Sequence, residues 1–274
     1  MKIDYTFHSH TFRCGHAIGD IHDHVFLAVK HGYKIFGASD HVLLPGIIQP
    51  RVRGDYSLLE EYINEYNLTK EKYKNDIKMY LGFECEYSEP FINYYKSLLK
   101  DKGFDYLICG QHYGFDENKE VYKYFSDHEG LIRLKDDMIK AMKSGLFLYI
   151  AHPDIIFTSA TEVTEEYKEV AKELIEAAIK YNAVFEVNIH GFIRNHVRRG
   201  VTYIDYPCNY FWKEVAKTNI RVVHGGDFHD PAEITMKENF EMFEALVKEC
   251  NIKFSDITEI YNEYQNRLKL LKIK

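Results

Sequence analysis

Seven short runs of β-branched and aromatic residues recur along the chain, and segments with helical spacing separate them. The runs span residues 2–7, 34–39, 77–83, 104–109, 147–151, 183–187 and 220–224. Apolar residues recur at i, i+3 and i+4 in the intervening segments, as in 165–181. This alternation predicts an α/β fold with a parallel sheet. We expect a distorted (β/α)7 TIM-like barrel closed by helices near 237–250 and 255–272, with a doubly wound open sheet as the alternative.

The chain has 274 residues, 46% of them hydrophobic, which is enough to bury one substantial core. No linker or low-complexity tract divides it, so we expect residues 1–274 to form a single domain. The five scattered cysteines do not form the pattern of a disulfide framework, which favours a reduced, cytoplasmic setting. The first residues lack a signal-peptide pattern, and no apolar run approaches membrane-spanning length.

The formal net charge of −7 bears on the partners of the chain. A mildly acidic chain lacks the basic footprint of a nucleic-acid-binding protein. It does not exclude a small phosphorylated substrate, because local charge at a site can oppose the global sign. We therefore expect a small anionic partner, no nucleic acid and no membrane, with the oligomeric state left open.

Every predicted strand is followed by residues that bind metals or donate and accept hydrogen bonds. In strand order, they are His8, His10 and His16; Asp40 and His41; Glu84; His112; His152 and Asp154; Asn188; and Asp227 and His229. In (β/α) barrels the carboxyl ends of the strands meet at one mouth, where the active site lies. Imidazoles and carboxylates are ligands of zinc, iron and manganese. Their number exceeds the needs of one ion, so we expect a multinuclear metal site there.

The stretch DYTFHSHTFRCGHA, residues 4–17, taken alone could be one half of a zinc finger. No Cys-x-x-Cys partner follows it, which argues against that interpretation. We expect His8 and His10 to face one ion and His16 to reach a different one. Cys14 is expected to pack or to support a ligand.

The motifs HSH, CGHA, SDH, GFECEY, GQH, AHPD and GGDFH occur in this order along nearly the whole chain. In this the sequence resembles the PHP (polymerase and histidinol phosphatase) family of metal-dependent phosphoesterases. The CGHA and SDH forms and the chain length are similar to the stand-alone histidinol-phosphate phosphatases. The resemblance implies a distorted seven-stranded barrel that holds two to three divalent ions, which are zinc, iron or manganese.

The resemblance also implies how the ligands divide among the ions. The three expected sets are His8, His10, Glu84 and Asp227; Glu84, His112 and His152; and His16, His41 and His229. Glu84 would then bridge two ions.

The implied reaction is the hydrolysis of a phosphomonoester by a metal-bridging hydroxide, because metal coordination makes hydroxide available near neutral pH. Asp227 would help to orient this nucleophile. Asp40 has two interpretations that the sequence leaves open. It would either protonate the leaving alcohol or orient a metal-bound imidazole.

An anionic phosphate is expected to pair with arginine, whose planar fork contacts two oxygens. Arg194 and then Arg198 are the preferred candidates, and Arg51 and Arg53 are further ones. The amine and imidazole of histidinol would need acidic partners, for which we expect Glu86 or Asp154.

The expected function is therefore the hydrolysis of L-histidinol phosphate to L-histidinol and phosphate in histidine biosynthesis. The alternative is another PHP phosphoesterase that acts on nucleotides, oligonucleotides or phosphotyrosine. A non-catalytic metal-binding module is a third hypothesis. The complete ligand set argues against it.

Overall fold

Strands and helices alternate along the chain in the computed structural model, which describes residues 3–124, 127–193, 197–198 and 200–274. The strands are β1 (Tyr5–Thr6), β2 (Ile35–Ala38), β3 (Lys78–Cys85), β4 (Tyr106–Cys109), β5 (Tyr113–Phe115), β6 (Val121–Lys123), β7 (Val184–Asn188), β8 (Val197–Arg198), β9 (Val201–Thr202) and β10 (Arg221–Gly225). The helices are α1 (Ile21–Lys30), α2 (Leu59–Lys72), α3 (Ile92–Asp101), α4 (His128–Ser144), α5 (Glu165–Tyr181), α6 (Asn209–Val215), α7 (Lys237–Cys250) and α8 (Ile257–Leu270).

A parallel sheet forms the centre of the fold. Strands β1, β2, β3 and β4 pair in that order, and β7 pairs with β10. Short antiparallel pairs, β5 with β6 and β8 with β9, lie outside this sheet. Six of the seven predicted strand positions therefore carry paired parallel strands, as the strand–helix alternation predicts.

The predicted strand over 147–151 is much shorter in the structure. Only Ile150 forms bridges there, one to Cys109 on β4 and one to Phe185 on β7. The backbone still links its neighbours, because Ala151 N–H donates to Cys109 O at 2.8 Å and Glu186 N–H donates to Ile150 O at 3.0 Å. The segment thus connects the two halves of the sheet at the predicted place.

The sheet curls until its first and last segments meet. Ser9, just after β1, forms a parallel bridge with Phe228, just after β10. Asp227 N–H donates to His8 O at 2.9 Å, and His10 N–H donates to Phe228 O at 2.8 Å. The structure therefore shows an α/β fold with a curled parallel sheet, and its curvature brings distant strand ends together.

Some helix ends follow local sequence signals. Gly145 ends α4 with φ of 69°, the left-handed conformation expected of a residue after a helix. Ser57 and Glu60 have the spacing of a capping box in the sequence, but no capping box forms there. Asp55 accepts a hydrogen bond from Ser57 N–H instead, and a 3₁₀ turn precedes α2.

The buried apolar side chains form one cluster that joins the sheet to the surrounding helices. All five cysteines are buried and free. No helix in the described ranges is both long enough and apolar enough to cross a bilayer.

His224 on β10 packs among aromatic rings, and its burial is expected to make the free energy of unfolding depend on pH under acidic conditions. Its ring stacks on Tyr5 at a centroid distance of 3.9 Å and meets Phe243 and Phe254 edge-on. Burial lowers the pKa of this imidazole to about 3. As the pH falls below about 6.5, the unfolded chain takes up a proton that folded His224 does not accept until about pH 3.

We therefore expect His224 to lower the free energy of unfolding by up to about 1.4 kcal/mol per pH unit as the pH falls through this window. His224→Phe should remove this contribution and flatten the acid side of the stability curve. Urea unfolding of wild type and variant between about pH 7 and about pH 5 tests this. Identical slopes in the two proteins would contradict the assignment.

Candidate metal centre

Glu84, at the end of β3, lies at the centre of the cluster of predicted ligands, and only 1% of it is exposed. Five imidazoles surround its carboxylate. The shortest oxygen–nitrogen distances are 2.8 Å to His152, 3.0 Å to His41, 3.4 Å to His8, 3.5 Å to His10 and 3.7 Å to His112. Both carboxylate oxygens are in contact with imidazoles, so Glu84 is placed where it could serve more than one ion.

Burial by itself raises the pKa of the Glu84 carboxyl, because it penalises the charged form. The imidazoles of His112 and His8 more than offset this effect, and the pKa lies well below its usual range. Glu84 is therefore ionised across the physiological range. A buried negative charge of this kind attracts cations.

Asp227 provides the second carboxylate of the cluster. Its Oδ1 lies 2.8 Å from His10 Nε2 and 3.4 Å from His8 Nε2. Asn188 at the end of β7 donates from its side-chain amide to Asp227 Oδ2 at 2.8 Å. The side-chain oxygen of Asn188, Oδ1, accepts a hydrogen bond from Gly191 N–H at 2.9 Å. The strand-end asparagine thus fixes the orientation of this carboxylate.

The remaining predicted ligands, His16, His41 and His229, lie together on the outer side of the cluster. The Nε2 atoms of His16 and His229 are 3.1 Å apart. The ring centroids of His16 and His41 are separated by 5.3 Å, and those of His10 and His229 by 4.2 Å. All nine predicted ligands therefore belong to one continuous group at the carboxyl ends of the strands.

Several buried ring nitrogens in this group, some of them close to carboxylates, make no hydrogen bond of acceptable geometry among the described residues. They include both nitrogens of His10, Nε2 of His8, Nδ1 of His41 and Nδ1 of His152. Sets of three ligand atoms lie within 4.8 Å of one another, for example His8, His10 and Asp227, or His8, Glu84 and His152, or His10, His41 and His229. Unpaired buried donors and acceptors are costly, and metal ions would satisfy them. The residues therefore fit metal ions.

The backbone around the cluster is also specialised. His152 and Asp227 have φ of 34° and 52°, in the left-handed region that non-glycine residues rarely adopt. Such conformations concentrate at functional sites. A Cβ on Gly110 would lie 1.7 Å from Glu84 Oε1, so only glycine leaves room for the carboxylate there.

Asp40 is fully enclosed and faces the ligands from behind. It accepts hydrogen bonds from the backbone and hydroxyl of Thr11 and from His41 N–H, and its Oδ1 lies 3.5 Å from His10 Nδ1. Burial raises the pKa of this carboxyl, but the contacts with His10 and Thr11 lower the pKa by more than burial raises it. The net shift of the pKa is therefore downward. This geometry favours an orienting role over a leaving-group acid.

Glu86 was expected to contact the substrate, but its side chain does not line the cavity. Its Oε1 accepts from Arg53 Nη2 at 2.8 Å in a buried ion pair, and it lies 3.8 Å from His112 Nδ1. Asp154 is also committed elsewhere, because it accepts from Cys208 N–H and from Trp212 Nε1. Neither carboxylate lines the cavity beside the ligands.

Neither of the two preferred arginines has a described side chain. Arg194 lies outside the described residues, and Arg198 is described only for its backbone in β8. Arg51 and Lys123 are the cationic side chains that line the cavity within the described ranges.

A cavity of about 700 Å³ opens directly onto the cluster. Its inner end is formed by predicted ligands, among them Glu84, His112 and Asp227. Its lining also includes apolar and aromatic side chains, which are Tyr113, Tyr124, Leu131, Leu134, Ile155, Ile156 and Tyr167. The cavity therefore combines ligand-type residues with apolar surface.

The structure adds two residues that the sequence argument missed. His190, after β7, lines the cavity; its ring centroid is 4.6 Å from that of His229, and its Nδ1 lies 3.0 Å from Glu233 Oε2. Glu186 on β7 is completely buried, and its carboxylate oxygens lie 2.9 and 3.1 Å from His8 Nδ1. A lone carboxylate in the apolar run AVFEV was the available signal, since buried charges are almost always paired.

Glu186→Gln is expected to weaken metal binding by about 10–100-fold, because a carboxylate behind an imidazole fixes its tautomer and raises its basicity. Chelator competition on purified protein measures this affinity. Glu214→Gln, which removes an exposed carboxylate paired with Lys217, is the control. Unchanged affinity in Glu186→Gln would show that this residue does not support His8.

The PHP domain profile matches residues 6–190, which is more than half of the chain. The chain belongs to the PHP family. It is 24% identical to a Schizosaccharomyces pombe protein named "Probable histidinol-phosphatase", over 89% of this chain and 86% of that protein. A Deinococcus radiodurans protein of the same name is 26% identical, over 83% and 86% of the two chains.

Among solved structures, a histidinol phosphate phosphatase from Lactococcus lactis, in complex with zinc, L-histidinol and phosphate, is similar with a TM-score of 0.66. The identity is 16%, over 92% of this chain and 95% of that one. This similarity shows that the two chains share a fold.

Proposed function

We propose that this PHP-family chain is a metal-dependent phosphomonoesterase that hydrolyses L-histidinol phosphate to L-histidinol and phosphate, within histidine biosynthesis. The convergence of nine ligand-type residues around Glu84 at the end of one cavity carries the proposal. The names of the curated relatives support the choice of substrate.

Two to three divalent ions, drawn from zinc, iron and manganese, form part of this proposal. Bound ions would supply Lewis acidity toward phosphoryl oxygens and lower the pKa of water. The expected ligand sets remain those of the family. Contacts of Glu84 with His8 of one set and with His152 of the other support its place between two ions.

We assign the protein groups by their contacts. Asp227 would orient the attacking water, and the hydrogen bond from Asn188 to its carboxylate supports this role. Asp40 positions His10 and the backbone around Thr11, and so it acts on the reaction only through a ligand. Glu86 is not assigned to substrate binding, because its side chain contacts Arg53 and His112.

Recognition of the phosphate remains assigned to Arg194 and Arg198, with Arg51 and Lys123 as cations that line the cavity. Asp230 and Glu233 also line the cavity. They replace Glu86 as the candidate acidic partners of the histidinol amine and imidazole.

Three larger-scale expectations belong to the same proposal. The bridge between Ser9 and Phe228 supports a sheet closed as a distorted (β/α)7 barrel. The single apolar cluster supports one domain over residues 1–274. The cytoplasmic setting remains part of the proposal.

The deciding experiment compares kcat/KM of the metal-loaded protein for histidinol phosphate, p-nitrophenyl phosphate and a dinucleotide. The proposal expects a clear preference for histidinol phosphate. A clear preference for either of the other substrates would overturn it.

The apolar surface of the cavity favours a second candidate. Leu131, Leu134 and Ile156 offer apolar surface against which an aryl group would pack. An aryl phosphomonoesterase is therefore the alternative. Preference for p-nitrophenyl phosphate in the same assay would select it.

A further inference from the structure

Cys14 is completely buried, yet its surroundings are polar. It ends the 3₁₀ turn Phe12–Cys14, and Gly15 follows with φ of 78°, which reverses the chain toward His16. Its Sγ lies within 4.8 Å of ligand atoms of His16 and His229. It also lies within 4.8 Å of ligand atoms of His10 and Asp40. One sulfur is thus shared by two sets of potential ligands.

The histidines beside it supply an independent sign of a cation. His16 Nδ1 lies 3.2 Å from Cys14 O, and His229 Nδ1 lies 2.8 Å from Asp227 O. A carbonyl oxygen only accepts, so each Nδ1 carries the proton and each neutral ring has a bare lone pair on Nε2. These two Nε2 atoms face each other at 3.1 Å. Two lone pairs at this distance repel unless a cation lies between them.

A structural role alone would leave Cys14 as a packing residue, with its thiol donating to Thr11 O at 3.2 Å. That contact does not explain why Nδ1 of buried His41, a histidine of the same expected set, makes no hydrogen bond of acceptable geometry among the described residues. It also does not explain the facing lone pairs of His16 and His229. An ion beside the sulfur explains both features.

We propose that Cys14 Sγ is a direct ligand of the ion held by His16, His41 and His229. The inference rests on the metal centre of the proposed function. On binding, the sulfur–metal bond replaces the S–H bond, and the proton leaves to solvent. One cysteine and three histidines complete a tetrahedral zinc shell. A soft thiolate ligand also makes this position select zinc over manganese, which prefers oxygen ligands.

Cobalt(II)-loaded protein tests the ligand without reference to catalysis. Wild type should show a near-ultraviolet sulfur-to-cobalt charge-transfer band, and Cys14→Ser should lack it. Cys250→Ser, which alters a buried cysteine on α7 that contacts Asn209 O, should keep it. In competition between zinc and manganese, the ratio of zinc affinity to manganese affinity at one site should fall by at least about tenfold in Cys14→Ser.

X-ray absorption of the zinc-loaded wild type gives a test that needs no variant, so misfolding of Cys14→Ser does not affect it. A sulfur scatterer at about 2.3 Å from zinc is expected. Bound metal without a sulfur scatterer, or a cobalt band that persists in Cys14→Ser, would overturn the inference. Sulfur ligation in a protein inactive on all three phosphoesters would instead refute the proposed function alone.

Discussion

Glu84→Gln is expected to lower kcat/KM for histidinol phosphate by roughly 10³-fold and to reduce the bound metal. Glutamine keeps the shape of the side chain but removes the negative charge that five imidazoles contact. Its amide nitrogen would also point a donor where ions need an acceptor. Steady-state kinetics and elemental analysis of the same preparation measure both effects.

Two comparisons make this result specific. Glu173→Gln removes a carboxylate that pairs with Lys135 between α4 and α5, away from the cavity, and should leave kinetics and metal content unchanged. Circular dichroism should show that Glu84→Gln remains folded. Wild-type activity and full metal content in Glu84→Gln would contradict the bridging position of this residue.

Removing the metal is expected to have the second large effect, this time on stability. Without ions, the buried carboxylates and the unpaired ring nitrogens of His8 and His10 lose their cation partners. One ion present at a thousand times its Kd contributes about 4 kcal/mol, which shifts the Tm of a chain of this size by about 10 °C. Thermal unfolding before and after chelation measures the shift.

Adding zinc back to the chelated protein should restore both the Tm and the activity. The same treatment of Glu84→Gln should produce a much smaller change, since that variant is expected to hold less metal from the outset. A chelated wild type that unfolds at the original Tm would show that the cluster does not bind ions with useful affinity.

Periodicity predicted the architecture well where burial alone determines a strand. The runs that became β3 and β7 are almost completely buried along their length, and their apolar residues identify them. The run 147–151 is equally apolar, but only Ile150 forms bridges. Apolarity shows that a segment is buried, whereas bridge formation depends on the distance and twist of both neighbours.

The convergence of the ligand-type residues was predictable because each follows a strand, and parallel strand ends share one edge. The roles of Glu86 and Asp40 were not predictable in the same way. Glu86 stands two positions after Glu84, which suggests the same face, but β3 ends at Cys85 and Arg53 draws Glu86 into an ion pair. The orientation of Asp40 is fixed by a hydrogen bond from Thr11, which lies 29 positions earlier in the chain.

The alternating architecture, the donor chemistry and the family of this protein were therefore all predictable from the amino-acid sequence. These depend on residue type and on order along the chain. Only the tertiary structure decided which carboxylates face the ions and which support a ligand from behind, as Glu186 supports His8. It also placed Cys14 beside His229, 215 positions away. Such pairings arise because sheet curvature brings the first and last strand ends together, and local patterns carry no record of that approach.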